Sequence, residues 1–121
     1  MKESGEDYLE TIFLLSKNNP GVHAIDIAKK LGYSKPSVTR AIGILKSKGF
    51  VIVDEFNHIK LTNDGLVKAE KLYERHRTLS KFLELLGVKP QIAEKDACRM
   101  EHDISDETFC CISKFVEANN H

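Results

Sequence analysis

Cys98, Glu101 and His102 stand at i, i+3 and i+4 in the stretch Cys98-Arg99-Met100-Glu101-His102. On a helix that spacing puts all three side chains on one face. A thiolate, a carboxylate and an imidazole together suit a transition metal better than calcium or magnesium, which prefer oxygen ligands. The plain alternative is a surface helix that carries the three by chance, since three donors alone rarely complete a site. What separates the two is whether other parts of the chain supply partners.

Asp7 and Glu10 form a second i, i+3 pair near the start of the chain. Acids at a helix N-terminus complement the macrodipole. That explanation fits Asp7 better than Glu10, and both stay candidate ligands. His76 sits in mid-helix, where a solvated or hydrogen-bonded core role competes with ligation. His23 and His58 read as solvated, with a DNA-backbone contact also open to His58, and His121 reads as part of a disordered end. The adjacent Cys110 and Cys111 read as helix-core or dimer-surface residues rather than ligands, since no His lies near them in sequence. Three cysteines, two of them adjacent, make no disulfide framework.

The elements that must position these residues are mostly helical. Residues 6–17 have Tyr8, Leu9, Ile12, Phe13 and Leu15 at helical spacing, and Asn18-Asn19-Pro20-Gly21 ends the pattern. A short helix from His23 to Leu31 stops at Gly32. Ser34 then caps a third helix with Pro36 in its first turn, and Gly49 stops it. Val38, Ile42 and Leu45 face inward, while Ser34, Lys35, Ser37, Thr39 and Arg40 crowd its outer N-terminal end. Two helices joined by a tight turn make a helix-turn-helix candidate. Phe50–Val53 and His58–Thr62 read as two strands around a turn. A helix-turn-helix followed directly by a hairpin is the winged-helix arrangement.

Thr62-Asn63-Asp64-Gly65 opens the longest helical pattern, which runs to Leu86 before Gly87. Its first half is highly charged and its second half dense in Leu and Phe. Pro90 opens a fifth helix bearing Cys98, Glu101 and His102. Ser105-Asp106-Glu107 caps a sixth, with Phe109, Ile112, Phe115 and Val116 at core spacing.

Composition narrows the function classes. Of 121 residues, 41% are apolar and 30% charged, as in a water-soluble domain. No apolar run approaches the roughly 20 residues needed to cross a bilayer. The first residues are polar and acidic, unlike a secretory signal, so cytoplasm is the expected compartment. Net charge is zero, yet no acid occurs from Ile27 to Val53, where Lys29, Lys30, Lys35, Arg40, Lys46 and Lys48 lie. A locally basic face on a neutral chain points to nucleic acid.

Taken in order, several motifs resemble the diphtheria-toxin-repressor family of metal-dependent repressors, in its short branch of manganese transport regulators. They are Glu6-Asp7-Tyr8-Leu9-Glu10, Ser34-Lys35-Pro36-Ser37-Val38-Thr39, Leu61-Thr62-Asn63-Asp64-Gly65, Arg75-His76-Arg77, and Ala97-Cys98-Arg99-Met100-Glu101-His102 with Ile104-Ser105. The resemblance implies a mainly α fold: a winged helix-turn-helix DNA-binding domain over residues 1–64 and a small helical metal-binding and dimerisation domain over 65–121. It implies metal ligation by Asp7, Glu10, His76, Cys98, Glu101 and His102, holding one or two Mn(II) or Fe(II) ions per subunit. Asp7 and Glu10 look like the manganese-sensing branch, whereas Cys98 matches the iron-sensing branch. A thiolate favours Fe(II) over Mn(II) and also tolerates Co, Ni or Zn. Longer iron-sensing relatives add an SH3-like third domain, which is not expected here.

The function expected from this is metal-activated repression of metal-homeostasis genes. Ser34, Lys35, Pro36, Ser37, Thr39 and Arg40 would face a palindromic double-stranded operator. Two small modules leave each core small, so a homodimer burying the Leu/Phe-rich surface from about Leu79 onward is expected. Enzymatic activity, a small organic substrate and a membrane are not expected. Two alternatives remain at this level: a winged helix with a degenerate metal site acting through protein contacts, and a small metalloenzyme in which His, Cys and Glu activate water.

Overall fold

The computed structural model describes residues 5–119, and His121 lies outside them. It divides into two compact units, one running to Glu70 and the other starting at Lys71.

The first unit begins with α1 (Gly5–Ser16), α2 (Ala24–Leu31) and α3 (Lys35–Ser47). Tyr8, Leu9 and Ile12 of α1, Ile27 of α2, and Val38, Ile42 and Leu45 of α3 are buried in one apolar cluster, the helical spacing expected of three faces turned to a common core. Gly32 ends α2 in the left-handed region (φ 73°) with its N–H on the Ala28 carbonyl at 2.8 Å, a conformation that residues with a Cβ adopt at a cost. The Ser34 hydroxyl accepts from the Ser37 N–H at 3.3 Å and caps α3, with a proline in its first turn.

β1 (Val51–Val53) and β2 (Ile59–Leu61) pair antiparallel in the register Val51↔Leu61, Ile52↔Lys60, Val53↔Ile59. Val51 and Ile59 point into the core, whereas Ile52 and Lys60 point out, the alternation of a half-buried hairpin. The Ile59 N–H donates to the Val22 carbonyl at 2.7 Å and joins the hairpin to the segment before α2. Asp54 organises the turn: its Oδ1 accepts from the N–H groups of Phe56 (2.8 Å) and His58 (2.9 Å). Asn57 takes the left-handed conformation there (φ 64°), which Asn tolerates better than most residues. This is a winged helix-turn-helix.

α4 (Asn63–Leu85) starts from the wing. The Thr62 hydroxyl accepts from the Gly65 N–H at 3.1 Å and donates to the Gly49 carbonyl at 2.7 Å, while the Thr62 N–H donates to the Phe50 carbonyl at 3.0 Å. A Cβ on Gly65 would run into that same Phe50 carbonyl, so the first turn of α4 requires glycine.

The second unit holds the rest of α4 with α5 (Pro90–Asp103) and α6 (Asp106–Asn119). Leu79, Ala93, Ala97 and Val116 are buried, and Phe82 meets Phe115 edge to face at 5.7 Å, a favoured aromatic geometry. Ser105 caps α6, its hydroxyl accepting from the Thr108 N–H at 3.1 Å. Two expectations for α6 change. Phe115, at a core spacing in sequence, is 44% exposed, whereas its neighbour Val116 is buried. Cys110 and Cys111 are both exposed free thiols, which removes the helix-core reading for them.

Candidate metal centre and nucleic-acid interface

α5 places its donors by a stripe of every fourth residue. Ala93, Ala97 and Glu101 are all buried, so the position where the apolar stripe calls for another small apolar residue carries a carboxylate instead. The Glu101 side chain is 0% exposed. Burying a carboxylate costs several kcal/mol after relaxation, and what stands near it determines how that cost is met. His76, on α4, brings Nδ1 to 3.6 Å from Glu101 Oε2, and His102 brings Nε2 to 3.5 Å from Oε1. Cys98 is half-buried one turn before Glu101. One donor atom from each of His76, Cys98 and Glu101 lies within 4.8 Å of the others.

The second unit therefore gathers four of the six expected ligands, from α4 and α5. His76 Nδ1 is buried and makes no hydrogen bond among the described residues, which a donor atom aimed at an ion would not need. Imidazole, thiolate and carboxylate at this separation fit a divalent transition-metal ion and fit calcium poorly.

Asp7 and Glu10 lie three residues apart on α1 in the first unit. Asp7 is half-buried. Glu10 is only 8% exposed, and its Oε2 is buried with no hydrogen-bond partner among the described residues. A carboxylate oxygen in that state is costly unless a cation serves it, so the macrodipole explanation does not account for Glu10.

The outer face of α3 presents Ser34, Lys35, Pro36, Thr39 and Arg40 to solvent, with Ser37 half-buried. Ser34 and Ser37 also bond to one another, Oγ to Oγ at 2.9 Å, so part of their hydrogen-bonding capacity goes to capping the helix. Lys35 and Thr39 line a cavity of about 430 Å³ together with His23, Asn57 and the apolar Ile42, Val53 and Ile59.

His23 and His58 differ from the solvated reading. Both are half-buried, and their rings meet edge to face at 4.8 Å. His58 Nδ1 stands 3.2 Å from Asp54 Oδ2, and the ring occupies the space beside Gly21, where a Cβ would be 2.9 Å from Nε2. The His58 N–H, then the Phe56 N–H and the nearby His58 and Lys60 side chains, hold the Asp54 carboxyl below its ordinary value. Sequence patterns gave no signal for the His23–His58 pairing across 35 positions.

Among the described residues no helix is long and apolar enough to cross a membrane. Two family models together match nearly the whole chain: "Iron dependent repressor, N-terminal DNA binding domain" over residues 1–59 and "Iron dependent repressor, metal binding and dimerisation domain" over residues 62–121. An uncharacterized HTH-type transcriptional regulator of Methanocaldococcus jannaschii is 36% identical over 119 residues, covering 97% of this chain and 95% of that protein. The transcriptional regulator MntR of Salmonella typhimurium is 35% identical over 116 residues, covering 96% of this chain and 74% of MntR. Among solved structures, the manganese regulator SloR superposes with a TM-score of 0.86 at 30% identity, and the metal-dependent transcriptional regulator MtsR with 0.89 at 28%. The chain covers 55% of the length of each of these two.

Proposed function

Because the chain belongs to the iron-dependent repressor family of metal-dependent transcriptional regulators, we propose that it is a repressor whose operator affinity rises when Mn(II) or Fe(II) is bound. The observation that carries this is the fully buried Glu101 carboxylate within ligand distance of His76 and Cys98. His76, Cys98, Glu101 and His102 are the ligands of the second unit. Asp7 and Glu10 join the ligand set by the family resemblance, supported by the buried, unbonded Oε2 of Glu10. Residues 1–64 act as the DNA-binding part and 65–121 as the metal-binding and dimerisation part of a cytoplasmic homodimer.

A divalent cation bound there would supply positive charge that offsets the buried carboxylate. The residues do the rest. Glu101 keeps an anionic donor in a dry site, where Coulomb attraction is strongest. His76 and His102 add neutral donors, and Cys98 biases the set toward softer ions than an all-carboxylate site would accept. On the DNA side, Lys35 and Arg40 neutralise phosphate, and Arg40 has the fork geometry to read a guanine edge. Two such faces in a symmetric dimer match two half-sites of a palindrome.

Coupling of this kind is reciprocal: if metal tightens operator binding, operator tightens metal binding by the same factor. A gel shift on DNA from upstream of metal-transport genes, with and without anaerobic Mn(II) or Fe(II), tests the activation. Calorimetry of metal binding with and without operator tests the coupling. Equal metal affinity in both titrations rules out the switch, and DNA binding that ignores metal favours a winged helix with a degenerate site.

A further inference from the structure

Arg75 is the residue before His76, and its side chain is held at three points. Its side chain is 14% exposed. Nη2 donates to the Ile104 carbonyl at 2.9 Å and Nη1 to Asp106 Oδ1 at 3.4 Å, while the guanidinium lies 5.0 Å above the Phe109 ring. Its Nε is buried with no hydrogen-bond partner among the described residues. A long, rotamer-rich side chain gives up much entropy to be fixed this way, and the buried Nε adds a desolvation cost. Shape alone would be served more cheaply by an apolar residue.

The position of the two ends suggests what the restraint serves. At one end Arg75 adjoins His76 on α4. At the other it grips Ile104, two residues after His102, at the corner where α5 gives way to α6. The clamp thus brackets the donor cluster, with His76 on one helix and Glu101 and His102 on the other. We propose that Arg75 is a positioning residue for metal binding: by fastening the α5–α6 corner to α4 it holds the donors of two helices at ligand spacing before an ion arrives. The proposal rests on the metal-dependent reading above and adds to it a residue that touches no metal.

Electrostatics alone gives the opposite sign. A guanidinium close to a cation site repels the cation, so removing Arg75 would tighten metal binding if charge were all that mattered. Pre-arrangement predicts weaker binding, because partners that orient ligands typically contribute about 10- to 100-fold in affinity. The sign of the change therefore discriminates between them.

The test uses the full chain as wild type, Arg75→Gln and Arg75→Lys, each titrated anaerobically with Co(II). Affinity and the visible ligand-field and thiolate-to-metal bands are followed, alongside thermal unfolding of the metal-free proteins. Arg75→Gln should bind Co(II) about 10- to 100-fold more weakly with shifted bands. Arg75→Lys, which keeps the charge and one donor for the Ile104 carbonyl, should recover part of the loss. Unchanged affinity and bands with only a lower melting temperature would mean a purely structural role. Tighter binding would mean a purely electrostatic one, and either result overturns the proposal. If Arg75→Gln does not fold, Arg75→Lys decides alone, and wild-type affinity and bands in it overturn the proposal. Absence of Co(II) bands in the wild type overturns the metal reading and this proposal together, whereas normal wild-type bands unchanged in the variants overturn this proposal only.

Discussion

Replacing Glu101 with Gln removes a charge and almost no volume, so it isolates what the buried carboxylate does. Its side chain is fully enclosed and stands 3.6 Å from His76 and 3.5 Å from His102. Without metal, the substitution relieves the burial of a carboxylate but also ends its pairing with His76 and His102, so the metal-free melting temperature should change little. With metal, one of the proposed ligands loses its charge. Even a partner that only orients a ligand is worth about 10- to 100-fold, so a weakening of about 100-fold is a fair lower bound here. At a metal concentration of about 100 times the wild-type Kd, the ion stabilises the wild type by about 2.7 kcal/mol and the variant by about 0.4 kcal/mol. At about 4 °C per kcal/mol for a chain of this size, the metal-induced rise in Tm should fall from about 11 °C to about 2 °C. Thermal scans with and without Mn(II) measure both quantities. A Glu101→Gln protein that melts lower without metal yet keeps the full metal-induced rise would refute the reasoning, since the carboxylate would then be structural.

Three further outcomes follow from other residues. Arg40→Ala should weaken operator binding and reduce the slope of log affinity against log salt by about one unit, leaving metal affinity unchanged by calorimetry. Gly65→Ala should cost about 1–3 kcal/mol in urea unfolding, because the new methyl meets the Phe50 carbonyl; wild-type stability would place the glycine outside that contact. Asp54 has a carboxyl held below the ordinary 3.8 by the N–H groups of His58 and Phe56. A folded-state value below the unfolded one adds stability that is present above the unfolded value and disappears as pH falls through the folded value. The protection factors of the Phe56 and His58 amides, corrected for intrinsic exchange, should therefore fall only in the acid range below 3.8, and Asp54→Asn should remove that pH dependence.

The winged helix was open to reading because its signals are local. Ser34 with Pro36, Gly32, and the alternation about Asp54–Asn57 each act within a few residues, and each element formed where its cap or turn required. The candidate donor cluster was half legible. Spacing alone put Cys98, Glu101 and His102 on one face, and the Ala93–Ala97–Glu101 stripe could have told that the glutamate points inward. That His76 lies beside it depends on how α4 packs on α5, which no window of sequence encodes. In sequence Arg75 stands out only as a flank to His76, because its principal partner is the Ile104 backbone carbonyl, a group every residue carries. Phe115 misled because it stands about 100° around the helix from Val116, and helical spacing alone does not say which of the two turns inward; Val116 does.

Thr62 has a consequence for the order in which the chain opens. Its hydroxyl and N–H fasten the first turn of α4 to the Gly49–Phe50 backbone, and Gly65 packs on the same carbonyl. Fraying of that turn and parting of the two strands are therefore a single cooperative event, a foldon joining hairpin and helix start. Amides of Val51, Leu61 and Leu66 should share one exchange free energy, and a Thr62→Val substitution should lower all three together.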